Sequence, residues 1–174
     1  MRGRIAPASA ATQNFFDLKQ EHQVSYIANA KRLTLAGARK MVQVAVGEAE
    51  KAGIPITVAI TDAGGHMLAL ERMDGGRFHT VHSSTTKAVS ASSNKRPTTS
   101  KGAQNQDLDT THALGLALAA GPGRWTAMEG GFPIIVEGEC IGGIGVSGGD
   151  WAFDERVAKA AVEAIGAGIR IDNK

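Results

Sequence analysis

Ile56-Thr57-Val58-Ala59-Ile60-Thr61-Asp62-Ala63-Gly64-Gly65-His66-Met67-Leu68-Ala69-Leu70-Glu71-Arg72 is the stretch of sequence that decides the fold. Ile56, Val58 and Ile60 alternate with Thr57, Ala59 and Thr61, a β-branched period of two that suits a pleated strand. Asp62-Ala63-Gly64-Gly65 is turn chemistry, because Asp can hydrogen-bond the backbone two residues on and Gly accepts positive φ. His66 to Arg72 then reads as the returning strand, and Asp74-Gly75-Gly76 ends it. Residues 56–73 are therefore expected to form a β-hairpin.

Helices are expected on either side. Thr34 reads as an N-cap, followed by Leu35, Ala38, Val42, Ala45, Val46 and Ala49 at helical spacing, with Gly53 as the left-handed stop and Pro55 beyond it. Phe78 to about Ser92 also reads as a helix, with a thin apolar stripe (Val81, Ala88, Val89) and many hydroxyls, among them Ser83, Ser84, Thr85, Thr86, Ser90 and Ser92. Such a helix either rests small residues on the sheet or forms a hydroxyl-lined pocket wall. Residues 93–111 are polar and contain Pro97, the composition of a loop or flap. Leu114, Leu116 and Leu118 fit a short helix or a strand.

Residues 132–147 predict a second hairpin turning at Glu137-Gly138-Glu139. Its return strand holds Gly142, Gly143 and Gly145, glycines that make sense if another element packs very close. A last helix starts near Asp154-Glu155, burying Val157, Ala160, Ala161, Ala164 and Ile165 and ending at Gly166 and Gly168. Hairpins joined by helices give an α+β layered domain with an antiparallel sheet. Residues 1–30 read as an N-terminal arm whose Phe15, Phe16, Leu18, Val24, Tyr26 and Ile27 need a surface to cover, with a single domain over 31–174.

Composition narrows the function. The chain has 174 residues, 43% hydrophobic and 21% charged, which excludes overall disorder. Lys+Arg 19 against Asp+Glu 17 leaves +2 with no basic block, so no nucleic-acid partner is expected. Cys140 is the sole cysteine, which precludes an intrachain disulfide and suits a small buried hydrophobe. No apolar run reaches membrane-spanning length and residues 1–13 lack a signal-like apolar core, so a cytoplasmic setting is expected. Thirteen of the 22 glycines lie at or after Gly115, without a repeat period.

Gly143-x-Gly145-x-x-Gly148 matches a dinucleotide-loop spacing, but it falls inside a return strand rather than between a strand and a helix, so nucleotide binding is not expected. His79 and His82, at i and i+3 on the hydroxyl-rich helix, could bind a metal, ligate haem iron or move protons. The alternative is two surface histidines. Arg77 and Lys87 are near enough in sequence to neutralise a carboxylate. His22, His66 and His112 read as plain polar residues.

As a whole, the pattern Asp62-x-Gly64-Gly65-His66-x-Leu68, Arg72-Met73-Asp74-Gly75, Lys87-Ala88, Gly130-Gly131-x-Pro133-Ile134 and Gly142-x-Ile144-Gly145-Val146-Ser147-Gly148 resembles the GlcG/HbpS-like family, which includes the C-terminal domain of PduO-type corrinoid adenosyltransferases. The resemblance runs from about Thr34 to Gly168. It implies a profilin-like α/β/α domain with a five-stranded antiparallel sheet, in dimers that assemble to tetramers or octamers. It also implies haem binding in some members. The chain departs from the pattern at Phe78-His79 and His82-Ser83-Ser84, where relatives commonly carry Pro-Gly and an acidic or apolar helix start.

The leading expectation is a small-ligand-binding protein, haem or another tetrapyrrole first and a small organic anion second. Its site would be built from Arg72, His79, His82, Lys87, Gly130, Gly131 and Pro133, with His79 and His82 as candidate iron ligands. One alternative is a cofactor-independent lyase, isomerase or hydrolase acting on a small carbonyl or aromatic acid. There His79 or His82 would be the general acid/base and the Gly130-Gly131 amides would stabilise negative charge. Another is a structural accessory subunit of a catabolic enzyme.

Overall fold

A computed structural model describes residues 26–171, and one compact unit begins at Lys31. The arm's Phe15, Phe16, Leu18 and Val24 lie outside the described residues. From Lys31 the elements run α1 (Leu35–Ala52), β1 (Thr57–Asp62), β2 (Met67–Arg72), α2 (Thr80–Asn94), α3 (Thr110–Ala120), β3 (Gly131–Val136), β4 (Glu139–Ser147) and α4 (Trp151–Glu163). The helix ends follow local chemistry. Thr34 Oγ1 accepts the Gly37 N–H, and Gly53 closes α1 at φ 66°. Asp109 and Asp150 accept the N–H groups of His112 and Phe153 at the starts of α3 and α4.

Both hairpins form, and all pairings are antiparallel in the order β2-β1-β4-β3. Glu137 and Gly138, at φ 50° and 79°, make the two-residue turn of the second hairpin. The sheet has four strands among the described residues, which corrects the five-stranded expectation. After α4 the chain does return to the β3 edge, but only through Ile135 and Gly168, which exchange two 2.8 Å backbone hydrogen bonds. Gly166 and Gly168 on either side of Ala167 supply no alternating side chains to extend that pairing.

The strands sort their residues by face. Val58 and Ile60 of β1, with Ile144 and Val146 of β4, join Ala38, Met41 and Ala45 of α1 and Val157, Ala158 and Ala161 of α4 in one apolar core. The opposite face meets α2, where Thr57 Oγ1 and Thr80 Oγ1 lie 2.6 Å apart. The glycines of β4 make this contact feasible. A Cβ on Gly143 would come 2.2 Å from the Ala88 carbonyl oxygen, and one on Gly145 would come 2.0 Å from that of Ser84. The close-approach expectation holds, and α2 rests backbone to backbone on the strand that mimicked a nucleotide loop.

Of the two alternatives for the segment with Leu114, Leu116 and Leu118, the helix forms, and none of its residues is buried. Two local expectations are corrected. In α4, which begins at Trp151 behind Asp150, the buried face is Phe153, Asp154, Val157, Ala158, Ala161 and Val162, so Ala160, Ala164 and Ile165 of the expected set are not part of it. Cys140 is half-buried, with Sγ 3.4 Å from the Gly142 carbonyl oxygen.

Candidate functional site

Of the expected site residues, Lys87, Gly130 and Gly131 come together, whereas His79, His82 and Arg72 stand exposed. His79 stands at the N-cap of α2 without a capping side-chain bond, exposed, its ring edge-on to Phe78 at 5.8 Å. His82 is exposed one turn further on, and Arg72 is exposed at the end of the edge strand β2. Among the described residues no group of three or more His, Cys, Asp or Glu side chains is placed to hold a metal ion.

Lys87 turns inward. It is 4% exposed, and its Nζ donates to the Val146 carbonyl (2.7 Å) and to Asp154 Oδ2 (3.0 Å). Asp154 Oδ1 in turn accepts the Gly149 N–H. With its charge spent on Asp154, Lys87 is a structural cation, not the free anchor for a ligand carboxylate that the sequence suggested. Gly130 lies against this pair, where a Cβ would fall 2.8 Å from Asp154 Cβ and 3.0 Å from Lys87 Nζ. Gly131 N–H donates to Thr98 Oγ1 (2.9 Å), so that amide is not free to stabilise negative charge, and Pro133 is buried in β3.

His66 is placed at a large cleft, while His112, paired with Asp109, lines only a smaller one of about 280 Å³. The chain turns between β1 and β2 because Asp62 Oδ1 accepts the N–H groups of Gly64 (2.8 Å) and His66 (2.9 Å), with Gly65 at φ 82°. The same carboxylate lies 3.2 Å from His66 Nδ1. Burial alone would raise the Asp62 carboxyl, but the hydrogen bonds from the His66 and Gly64 amides and the His66 ring outweigh it and hold the group below the usual aspartate range. With Nδ1 engaged by the Asp62 carboxylate, Nε2 is the ring nitrogen left to face a ligand.

Around His66 lies a cleft of about 830 Å³, within the span typical of small-molecule sites. Gly64 and Gly65 form one wall, and a Cβ on Gly65 would touch Val89 Cγ1 at 3.5 Å, so the turn packs directly on α2. Val89, Ser92, Ser93 and Asn94 form the second wall. Pro122, Gly123, Arg124 and Trp125 form the third, on the segment joining α3 to β3. That segment is held near α2 by the Thr126 N–H donated to Ser90 Oγ at 3.4 Å. The hydroxyl-rich helix is thus a pocket wall at its C-terminal end, while its outer N-terminal turn carries the exposed histidines. None of Arg72, His79, His82, Lys87, Gly130, Gly131 and Pro133 lines this cleft.

Sequence reasoning missed His66, Arg124 and Trp125. For His66 a signal existed, an Asp and a His flanking a glycine turn, where a carboxylate that caps the turn also meets the imidazole. For Arg124 and Trp125 no local signal exists, since only the path of the chain after α3 brings them beside α2.

Comparison with known proteins agrees with this architecture. The family model described as haem degrading protein HbpS-like matches residues 33–163. A Citrobacter freundii protein named as an uncharacterized 15.0 kDa protein in the dhaT-dhaS intergenic region is 30% identical over 133 residues, covering 76% of this chain and 92% of its own. Protein GlcG of Escherichia coli K12 is 36% identical over 100 residues, 58% of this chain and 69% of its own. Among solved structures, a PduOC:heme complex superposes with TM-score 0.69 at 25% identity, covering 80% of this chain and 99% of that one. A double mutant of Streptomyces reticuli HbpS gives TM-score 0.67 at 29% identity, covering 92% and 97%. The glycine-punctuated sheet, its helix layers and the extent of these matches establish that the chain belongs to the HbpS-like family.

Proposed function

We propose that the chain binds a small ligand in the His66 cleft, haem or a related tetrapyrrole first and a small organic anion second. The observation that carries the reading is an imidazole backed by a carboxylate at a cleft of ligand size. A histidine whose Nδ1–H donates a hydrogen bond to a carboxylate is the arrangement that fixes tautomer and ring orientation in metal-ligating sites. The donor set suits haem. His66 would serve the iron, Val89, Pro122 and Trp125 would meet the apolar macrocycle, and Arg124 would meet an acidic side group. Held by His66 and Arg124, haem would supply a redox-active iron centre. Family membership and the haem-bound PduOC relative support the choice.

Titration of hemin into the full chain tests it. A Soret shift is expected in the wild type and in a His79→Ala/His82→Ala double variant, and its loss in His66→Ala. No shift at all, or one unaltered by His66→Ala, removes the reading.

The Asp62–His66 pair also favours a second reading, acid/base chemistry on a small carbonyl or aromatic acid, with His66 taking the role first given to His79 or His82 and Arg124 holding the substrate carboxylate. Incubation with a panel of such acids, followed by NMR, should show conversion by the wild type and none by His66→Gln. Conversion by both assigns the chemistry elsewhere. In either reading the working form is an assembly of copies, a proposal supported by the exposed leucines of α3.

A further inference from the structure

A second cleft opens where α2 ends, and it shares no lining residue with the His66 cleft. Its volume is about 870 Å³. Lys95, Arg96, Lys101 and Arg170 bring four cations to it, against a single carboxylate, Glu155. Part of that charge has a local explanation. Lys95 is the left-handed C-cap of α2, where the carbonyl end of the helix favours a cation, and Lys101 is paired with Asp107.

The two arginines have no such explanation. Neither has a carboxylate partner among the described residues. Arg96 spends one donor on the Lys101 carbonyl at 3.4 Å, which leaves most of its fork unused. Burial of Glu155 and its neighbour Glu129 push the Glu155 carboxyl up, against a smaller opposing pull from Lys87, and this one acid faces four cations. Phe132, which is buried, and Pro97 and Ile169 give the same cleft an apolar part.

We propose that this cleft is a second binding site, for a small organic anion that presents a carboxylate or phosphate to Arg96 and Arg170 and rests an apolar body on Phe132. Planar guanidinium groups recognise such oxyanions in a bidentate manner, which ammonium groups cannot do. The apolar part selects an organic body over a bare inorganic ion. The net charge of only +2 over the chain, with no block of basic residues in its sequence, fits one small anion better than a polyanion.

The test is titration of the full chain with benzoate, phenyl phosphate and inorganic phosphate, followed by amide ¹H–¹⁵N shifts. Benzoate or phenyl phosphate should shift the amides of Arg96, Lys101, Phe132 and Ile169 in a saturable way, and the tighter of the two tells carboxylate from phosphate. Affinity should fall at least tenfold in Arg96→Gln/Arg170→Gln, a change about 1.4 kcal/mol or larger. It should rise in Glu155→Gln, a gain that a misfolded variant could not give, and it should be unchanged in His66→Ala, which separates this site from the haem reading. The proposal is overturned if neither organic probe shifts these amides, if the arginine variant binds as well as the wild type, or if inorganic phosphate binds as tightly as phenyl phosphate.

Discussion

At the scale of single residues, Asp62 does two jobs with one carboxylate. It closes the β1–β2 turn through two backbone amides and holds the His66 ring. Replacing it with Asn keeps the shape and removes the charge that orients the imidazole, so hemin affinity of Asp62→Asn should drop about 10–100-fold, the usual loss for a partner of this kind. Stability follows the sign of the titration. The folded-state carboxyl lies below its ordinary value of 3.8, so its contribution is present above that value and is lost as pH falls through the folded-state value. The difference in melting temperature between wild type and Asp62→Asn should therefore be open at pH 7 and close on acidification below about pH 4. Asp62 and the glycines were legible in the sequence as a turn. That the imidazole beside them faces a cleft was not, because the far wall comes from residues 122–125, more than fifty positions away.

At the scale of elements, the contact between α2 and β4 sets Gly145 apart from a glycine that nothing crowds. Gly145→Ala would drive a methyl into the Ser84 carbonyl, backbone against backbone, and should destabilise by about 3 kcal/mol, the upper part of the usual overpacking range. Gly47 lies within α1, and a Cβ added there would meet no atom within 4 Å, so Gly47→Ala should stabilise by about 0.5–1 kcal/mol through helix propensity. Urea midpoints of the two variants check both signs. The elements themselves were readable, since Thr34 and Gly53 bracket α1 and Glu137-Gly138 marks the second hairpin. The identity of α3 was not, because Leu114, Leu116 and Leu118 alternate like a strand while the Asp109 cap starts a helix.

At the scale of the whole molecule, Lys87 joins the helix layer above the sheet to α4 below it, through Asp154 and past the gap left by Gly130. Removing one partner of a buried pair leaves the other uncompensated, so Lys87→Ala should cost about 3–5 kcal/mol, measured by chemical denaturation. The α3 helix has the opposite problem. Leu114 and Leu118 are 57% and 73% exposed, the helix interior has no charged Lys, Arg, Asp or Glu, and an apolar helix of that kind is stable in water only when something covers it. A second copy of the same uncharged surface is the proposed cover, and Leu114→Lys/Leu118→Lys should lower the molar mass seen by light scattering while leaving the circular dichroism spectrum of the fold in place. An unchanged mass rejects α3 as the contact.

What the amino-acid sequence determined alone was local: the period-two strands, the capped helices, the glycine turns, and through them an antiparallel α+β domain. These depend on interactions within a few residues, so they leave a mark in composition and spacing. Which histidine meets a cleft, which lysine is spent inside, and where the β3 edge of the sheet finds only one more bridge were decided by packing between segments far apart in the chain. His79 and His66 carry the same chemistry. Both rings are exposed, and only the docking of α2 against the turn at Gly65 sets one of them at the rim of a cleft.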